Sequence, residues 1–373
     1  MDKVLIYFPF ALAKKADSGS KVRPLKMIEA FEMWGRKEGL EVVVVSGESK
    51  ERKSKWDELM RQKALTNVRF CYVENQTIPI WLTDKNHIPS KPFIDKQVFE
   101  YLKKHQIPMG IFYRDVYWKF DELYPLKGLK KTAMQWLYRR EEKFYEKYAD
   151  AIFLPSLEMG KYVDINRTKV ALPPGGKEVV FQKANREDTE VRAIYVGAVQ
   201  HADNGLPLML DTLERVKGEG LPLSLTVVCR EAEYQGLAQT QKAKMDELQV
   251  VIKHLSGAEL DKLYEEYDFA YLPRTKSTYN DFSVPVKLVE YLSNYLPVLA
   301  SNCTAQQRFV ESGPYGVVAE ATVEAMVEAT KAMINQHNTY LQTIQDRFLT
   351  DNSWIARVKT VSNTLTKRKT ESS

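Results

Sequence analysis

In FSVPVKLVEYLSNYLPVLAS, residues 282–301, three polar side chains interrupt an otherwise oily helical stretch. Lys287, Glu290 and Asn294 stand three and four residues apart, so they share one stripe of a helix. A helix N-terminus carries about half a positive charge and free N–H groups. Ser283, Val284 and Pro285, leading into Val286, would present such an end to a phosphate, and Lys287 adds a cation within the first turn. Glu290, one turn deeper, has the reach to accept hydrogen bonds from a ribose diol. Phosphate at the helix start and ribose one turn in match the dimensions of a nucleoside diphosphate. The same spacing equally serves a solvent-facing i,i+3 pair worth about 0.3 kcal/mol.

Other residues could carry chemistry. Arg114 and Asp115 follow the apolar run MGIFY, 109–113. A carboxylate at a buried strand's end could orient or deprotonate a hydroxyl, or simply pair with Arg114 and hold the loop. Lys21 and Arg23 open a helix beside Pro24, where they would meet phosphate or cap the helix. In LKGLKKTAMQWLYRREEKFYEK, 126–147, Leu126, Leu129, Ala133, Trp136 and Leu137 lie on one side, with Lys127, Lys130, Lys131, Arg139 and Arg140 around them. That pattern suits either a peripheral membrane contact or a core helix with a charged face. No metal-ligand cluster and no nucleophile paired with a base stands out.

These residues need a scaffold, and the chain is long enough for two domains of ordinary size, at 373 residues. A hydrophobic share of 44% against 28% charged describes a globular chain. Net charge of +5 suits anionic ligands or an anionic membrane surface and is too weak to argue for nucleic acid. Cys71, Cys229 and Cys303 form no disulfide framework or zinc spacing, which points to a reducing cytoplasm. The opening MDKVLIYFPFALAKK imitates a signal peptide but reads better as a first strand. No apolar run reaches the roughly 18–20 residues of a membrane span.

Short apolar strands alternate with amphipathic helices throughout, which predicts parallel sheets covered on both faces. KVLIYFPF and LEVVVVSG flank a helix whose Val22, Leu25, Ile28 and Phe31 share a face. A second series begins at VRAIYVGAV, 191–199, after LPPGGKEVVFQKANRED, which is rich in Pro, Gly and charge. The expectation is two doubly wound α/β domains: 1–172, a linker at 173–188, then 189–350. SWIARVKTVSNTL would form a last helix within 351–373, ending in a disordered-looking KRKTESS. Ligands should bind in a cleft at the carboxyl ends of the strands.

With those motifs in place, the chain resembles a GT-B glycosyltransferase of the retaining family-4 kind over nearly its whole length. PVKLVEYLSNYLPVLAS is similar to the family's donor-binding helix, which implies that Glu290 contacts the donor ribose. SGSKVRPLKMIEAF, 18–31, resembles the loop and helix where small residues approach the donor phosphates, which implies that role for Gly19 and Ser20. IYVGAVQHADNG, 194–205, resembles the first strand and loop of the donor domain, with Gly197 in place. FYRDVYWKF, 112–120, looks like a segment of polysaccharide-assembly members, which puts Arg114, Tyr117 and Trp118 on the acceptor side with Lys21 and Arg23, and makes Asp115 a candidate catalytic residue. The final helix with Trp354 resembles the tail that crosses back to the N-terminal domain.

The chain departs from that pattern at Phe282, where a second glutamate is usual, with Asp281 beside it. It departs also at Ala198, where an arginine is usual, and at Tyr295, where a glycine is. Arg230 and Arg274, each at a strand's carboxyl end, then become the expected phosphate cations with Lys287. The backbone near Leu255, beside His254, becomes the expected base contact. The resemblance implies a cytoplasmic enzyme, free or peripheral at the inner membrane face, in polysaccharide or glycoconjugate assembly. It would move a sugar from a UDP- or GDP-linked donor to a glycan or lipid-linked glycan, with no cofactor, no metal and no nucleic acid partner. A sugar-nucleotide epimerase of the same architecture and a non-catalytic relative are the alternatives.

Overall fold

The structure is a computed structural model that describes residues 1–13, 19–179 and 189–371. The chain divides into two compact units, residues 1–174 with 354–373, and residues 175–353. Residues 180–188, most of the expected linker, lie outside the described residues.

The first unit runs β1 (Lys3–Tyr7), α1 (Gly19–Glu38), β2 (Glu41–Val45), α2 (Ser49–Arg61), β3 (Val68–Glu74), α3 (Ile94–Lys104), β4 (Met109–Phe112), α4 (Gly128–Tyr148), β5 (Ala151–Leu154) and β6 (Thr168–Ala171). Its sheet is parallel, in the order β2-β1-β3-β4-β5-β6. Strand side chains alternate between faces. Val4 and Ile6 pack with Phe31, Phe70, Tyr72 and Phe153. Tyr7 turns the other way, its ring 6.1 Å from Phe99 of α3.

The second unit runs β7 (Val191–Val196), α5 (Leu206–Gly218), β8 (Leu223–Val228), α6 (Glu231–Gln235), α7 (Gln239–Glu247), β9 (Val251–Lys253), α8 (Ala258–Leu263), β10 (Phe269–Leu272), α9 (Thr278–Phe282), α10 (Val286–Ser293), β11 (Val298–Ser301), α11 (Thr304–Glu311), β12 (Gly316–Ala319), α12 (Val323–Thr343) and α13 (Leu349–Asn352). The order β12-β11-β10-β7-β8-β9 is again parallel and reverses between β7 and β10. Ala193, Tyr195, Leu225, Val227, Phe269 and Tyr271 build one core layer with α5 and α12. Ile194, Val196, Ala270, Leu272, Val298 and Ala300 build the other with α8 and α10.

The last helix, α14 (Trp354–Glu371), belongs to the first unit, where Val358, Val361 and Leu365 join the core beside α1. Two expectations need correction. The KRKTESS stretch continues α14 as far as Glu371 instead of leaving the helix. The buried face of α1 is Met27, Ala30, Phe31 and Trp34, whereas Val22, Leu25 and Ile28 are half-buried. The helix is rotated so that its bulkiest rings, Phe31 and Trp34, meet Phe70 of the sheet.

Candidate functional site

In an open α/β sheet, ligands bind outside the carboxyl ends of the strands where strand order reverses. In the second unit that place lies between the ends of β7 and β10. Gly197 follows β7 directly, its N–H donating to the Val228 carbonyl at 3.0 Å. The loop from Gly197 to Gly205 lies against the end of β10. The Thr275 N–H donates to the Asp203 carbonyl at 3.0 Å, and its hydroxyl to Asp203 Oδ1 at 3.1 Å. Gly205 makes that approach possible. Its φ is +77°, and a Cβ there would stand 1.7 Å from the Pro273 carbonyl oxygen.

Helix α10 is fastened to the same point by Tyr291, which is fully buried. Its hydroxyl accepts from the Val196 N–H at 2.7 Å and donates to the Val196 carbonyl at 3.2 Å. Pro285 is the N-cap and makes no side-chain cap, so the first turn begins without a side-chain acceptor. Val286 at that start is exposed, and Val284 packs partly into the core below.

Arg274 stands just past β10. Its guanidinium donates to Ser283 Oγ at 2.9 Å, to the Ser283 carbonyl at 3.3 Å and to Asn280 Oδ1. All three acceptors are neutral, and no carboxylate among the described residues pairs with it. Burial pushes the guanidinium below its usual pKa, yet arginine keeps its charge in proteins. The result is a positioned, partly desolvated cation, held by the segment that leads into α10, with no carboxylate among the described residues in ion-pair contact; the Asp203 charge acts on it only from further off.

Lys287 and Glu290 meet each other. The Lys287 ammonium lies 2.8 Å from both carboxylate oxygens of Glu290. Tyr264, in a short turn after α8, donates to Glu290 Oε1 at 2.8 Å. Burial and the Glu290 charge raise the Tyr264 pKa, so it stays a donor. Asn294 instead caps the helix end, its side-chain amide donating to the Glu290 carbonyl at 2.8 Å. Tyr295 then takes φ +57°, the left-handed position where glycine is easier.

The remaining expected donor contacts are less gathered. Arg230 N-caps α6, is 85% exposed and reaches Glu233 at 3.6 Å. Leu255 is half-buried against the core, and neighbouring His254 sits 2.9 Å from the Cys229 carbonyl. Asp281, beside Phe282, is a structural cap: its Oδ1 accepts from the Thr304 N–H at 3.0 Å and hydroxyl at 3.1 Å. Phe282 itself is buried against Tyr279.

In the first unit, Gly19 and Ser20 are the first two residues of α1, and Lys21 is exposed. Arg23 is buried, 3.6 Å over the Phe112 ring and 3.5 Å from Glu74. Arg114 reaches the other Glu74 oxygen at 2.5 Å. Burial lowers the Arg114 pKa and the Glu74 charge opposes the shift. Glu74, which sequence reasoning missed, thus binds both arginines expected on the acceptor side. Asp115 Oδ1 accepts from the Val116 N–H at 2.7 Å and the Tyr117 N–H at 3.0 Å, so it caps the turn after β4. The Tyr117 hydroxyl lies 3.1 Å from the Thr77 carbonyl. Trp118 needs correction as an acceptor contact. It is 1% exposed, stacked at 4.8 Å on Tyr138, because a large ring on a short turn gains more from burial than from solvent.

Sequence reasoning also missed Tyr264, Asn280, Tyr291 and Gly205. Only Gly205 carried a local signal, as the glycine before the Leu206-Pro207 helix start.

Residues 190–336 match the family model described as glycosyl transferases group 1. Among curated proteins none matches the chain in sequence. Several solved structures share its fold. Anabaena Alr3699/HepE, solved in complex with UDP, superposes with a TM-score of 0.60 at 12% identity, over 98% of this chain and 100% of that one. The lipopolysaccharide outer core galactosyltransferase WaaB gives 0.57 at 13% identity, over 98% and 99%. The α,α-trehalose 6-phosphate synthase from Burkholderia multivorans gives 0.57 at 10% identity, over the full length of both. The fold is GT-B. The second unit matches the group 1 glycosyl transferase model over residues 190–336.

Proposed function

We propose that this enzyme transfers a sugar from a nucleoside diphosphate sugar to a glycan or lipid-linked glycan, with retention of configuration and without a resident metal. Its setting would be the inner face of a membrane, in surface polysaccharide or glycoconjugate assembly. The observation that carries the reading is Arg274: a cation held by neutral groups beside the start of α10, at the strand-order reversal of the family-matched domain. A leaving diphosphate would find there both a guanidinium and helix N–H groups. Glu290, one turn deeper, would turn its carboxylate from Lys287 to the ribose. HepE was solved with UDP, which favours a uridine donor over a guanosine one.

Calorimetry with UDP, GDP and uridine, followed by assay of UDP-sugar hydrolysis, tests the proposal. Tight UDP binding with slow hydrolysis supports it. In a folded Glu290→Ala variant, loss of charged hydrogen bonds worth about 1.5–3 kcal/mol should weaken UDP about tenfold to a hundredfold. Unchanged affinity would remove Glu290 from the ribose. A non-catalytic relative is the second reading, favoured by the buried Phe282 and by the capping role of Asp281. It predicts UDP binding with neither hydrolysis nor transfer, whereas inversion at the sugar C2 would mean an epimerase.

A further inference from the structure

We propose that Lys287 makes ribose recognition by Glu290 conditional on a diphosphate. Its ammonium occupies the carboxylate until a phosphate draws it away, so the site selects nucleoside diphosphates over bare nucleosides. This rests on the reading of Glu290 as the ribose contact. A carboxylate offers about four lone-pair positions. On Oε1 the Tyr264 hydroxyl takes one at 2.8 Å and the Lys287 ammonium the other at 2.8 Å. On Oε2 the ammonium takes a third, again at 2.8 Å. One position is left, whereas a ribose diol donates two hydrogen bonds. Something must give way before both can form.

Tyr264 is 1% exposed and fixed by its surroundings. Lys287 is the partner that can move, because its side chain is 32% exposed on a flexible four-carbon stem. Its placement favours exchange. Among the described residues Glu290 is its one ion-pair partner. Lys287 is the second residue of α10, where the positive end of the helix opposes a cation. The pair also runs lysine before glutamate, the weaker order on a helix. The first turn of α10 holds no acidic residue, so no other carboxylate there competes for the ammonium. A phosphate at this end reverses the balance. It meets the helix N–H groups and the ammonium together, and Glu290 keeps its Tyr264 bond while gaining the lone pairs the diol needs. Arg274 has no such exchange to make, since its printed acceptors are neutral. Lys287 alone therefore couples the two ends of the nucleotide.

Calorimetry of the full chain with uridine and with UDP tests the coupling in the parent, Lys287→Met, Glu290→Ala and the double variant. Lys287→Met releases the carboxylate, so uridine should bind about twofold to fivefold more tightly, the worth of a partly exposed ion pair. UDP should not follow. The ratio of UDP to uridine affinity should fall about tenfold, as for the loss of one charged hydrogen bond to phosphate. A residue that merely shaped α10 would shift both ligands alike and leave that ratio unchanged. With Glu290→Ala already in place, Lys287→Met should no longer strengthen uridine. The coupling is overturned if Lys287→Met binds uridine no better than the parent while Glu290→Ala binds it worse, a result that keeps the ribose contact. If Glu290→Ala changes neither ligand, the ribose contact and the coupling fall together.

Discussion

Arg274 shows how one side chain is prepared for an anion. Three neutral acceptors fix its planar fork without neutralising it. Lysine at this position would keep the charge but not the two-pronged geometry. Arg274→Lys should therefore weaken UDP about tenfold, and Arg274→Met more, with charged hydrogen bonds worth about 1.5–3 kcal/mol. Calorimetry with uridine is the control, since a phosphate contact leaves the bare nucleoside unaffected. Equal losses for both ligands would mean that Arg274 shapes the pocket generally. Lys287 differs, because its charge is already balanced by Glu290 at 2.8 Å. Its gain on meeting a phosphate is reduced by whatever it gives up in that pair.

Two elements carry measurable consequences of packing. The loop from β7 to α5 closes onto β10 only because Gly205 has no side chain. Gly205→Ala would combine a left-handed backbone with a clash against the Pro273 carbonyl. The strain alone costs about 1–3 kcal/mol. Urea denaturation should show at least that loss, and UDP affinity should fall with it. A stability equal to the parent's would show that the loop relaxes freely. On α4, burial pushes the Glu141 carboxyl up to about 8. Its Oε1 accepts from the Ile80 N–H at 2.7 Å and the Tyr145 hydroxyl at 2.8 Å, but Oε2 has no partner. The folded pKa lies above the unfolded value near 4.5. Ionisation of the unfolded chain therefore removes stability as pH rises from about 4.5 to about 8, and the loss is constant above that. Glu141→Gln should erase this slope, so its stability relative to the parent should climb through that window. Parallel pH profiles for the two proteins would contradict the shift.

At the scale of the whole molecule, the chain leaves its first unit at Pro174 and re-enters it at Trp354. The first unit therefore needs the last helix of the chain. Val358, Val361 and Leu365 are each fully buried beside α1 and the sheet. Burying such side chains is worth about 1.5–3 kcal/mol apiece. Their sum approaches the roughly 5–15 kcal/mol that holds a domain together. A chain ended after Ser353 should lose the unfolding transition of its first unit. It should keep that of the second, with UDP binding by Arg274 and Glu290 still measurable. Scanning calorimetry with and without UDP checks both, and a truncated chain with both transitions intact would refute the dependence.

The alternation of strands and helices, the parallel sheets and the stripe of α10 were legible in the sequence. They depend on periodicity and on local chain direction, which neighbours in sequence determine. The position of Glu290 beside Lys287 followed from helical spacing alone. What joins distant stretches was not legible. Tyr264 reaches Glu290 across 26 residues, and Tyr291 grips Val196 across 95. Glu74 contacts both Arg23 and Arg114, and Trp118 leaves the surface for Tyr138. Sequence spacing says which side chains can share a helix face. Which carboxylate a buried arginine finds, and which cation is left without one, depends on the strand order that brings remote loops to one edge of a sheet. Only the tertiary structure supplies that order, and with it the difference between Arg114, which is in contact with Glu74, and Arg274, which among the described residues is held by neutral acceptors.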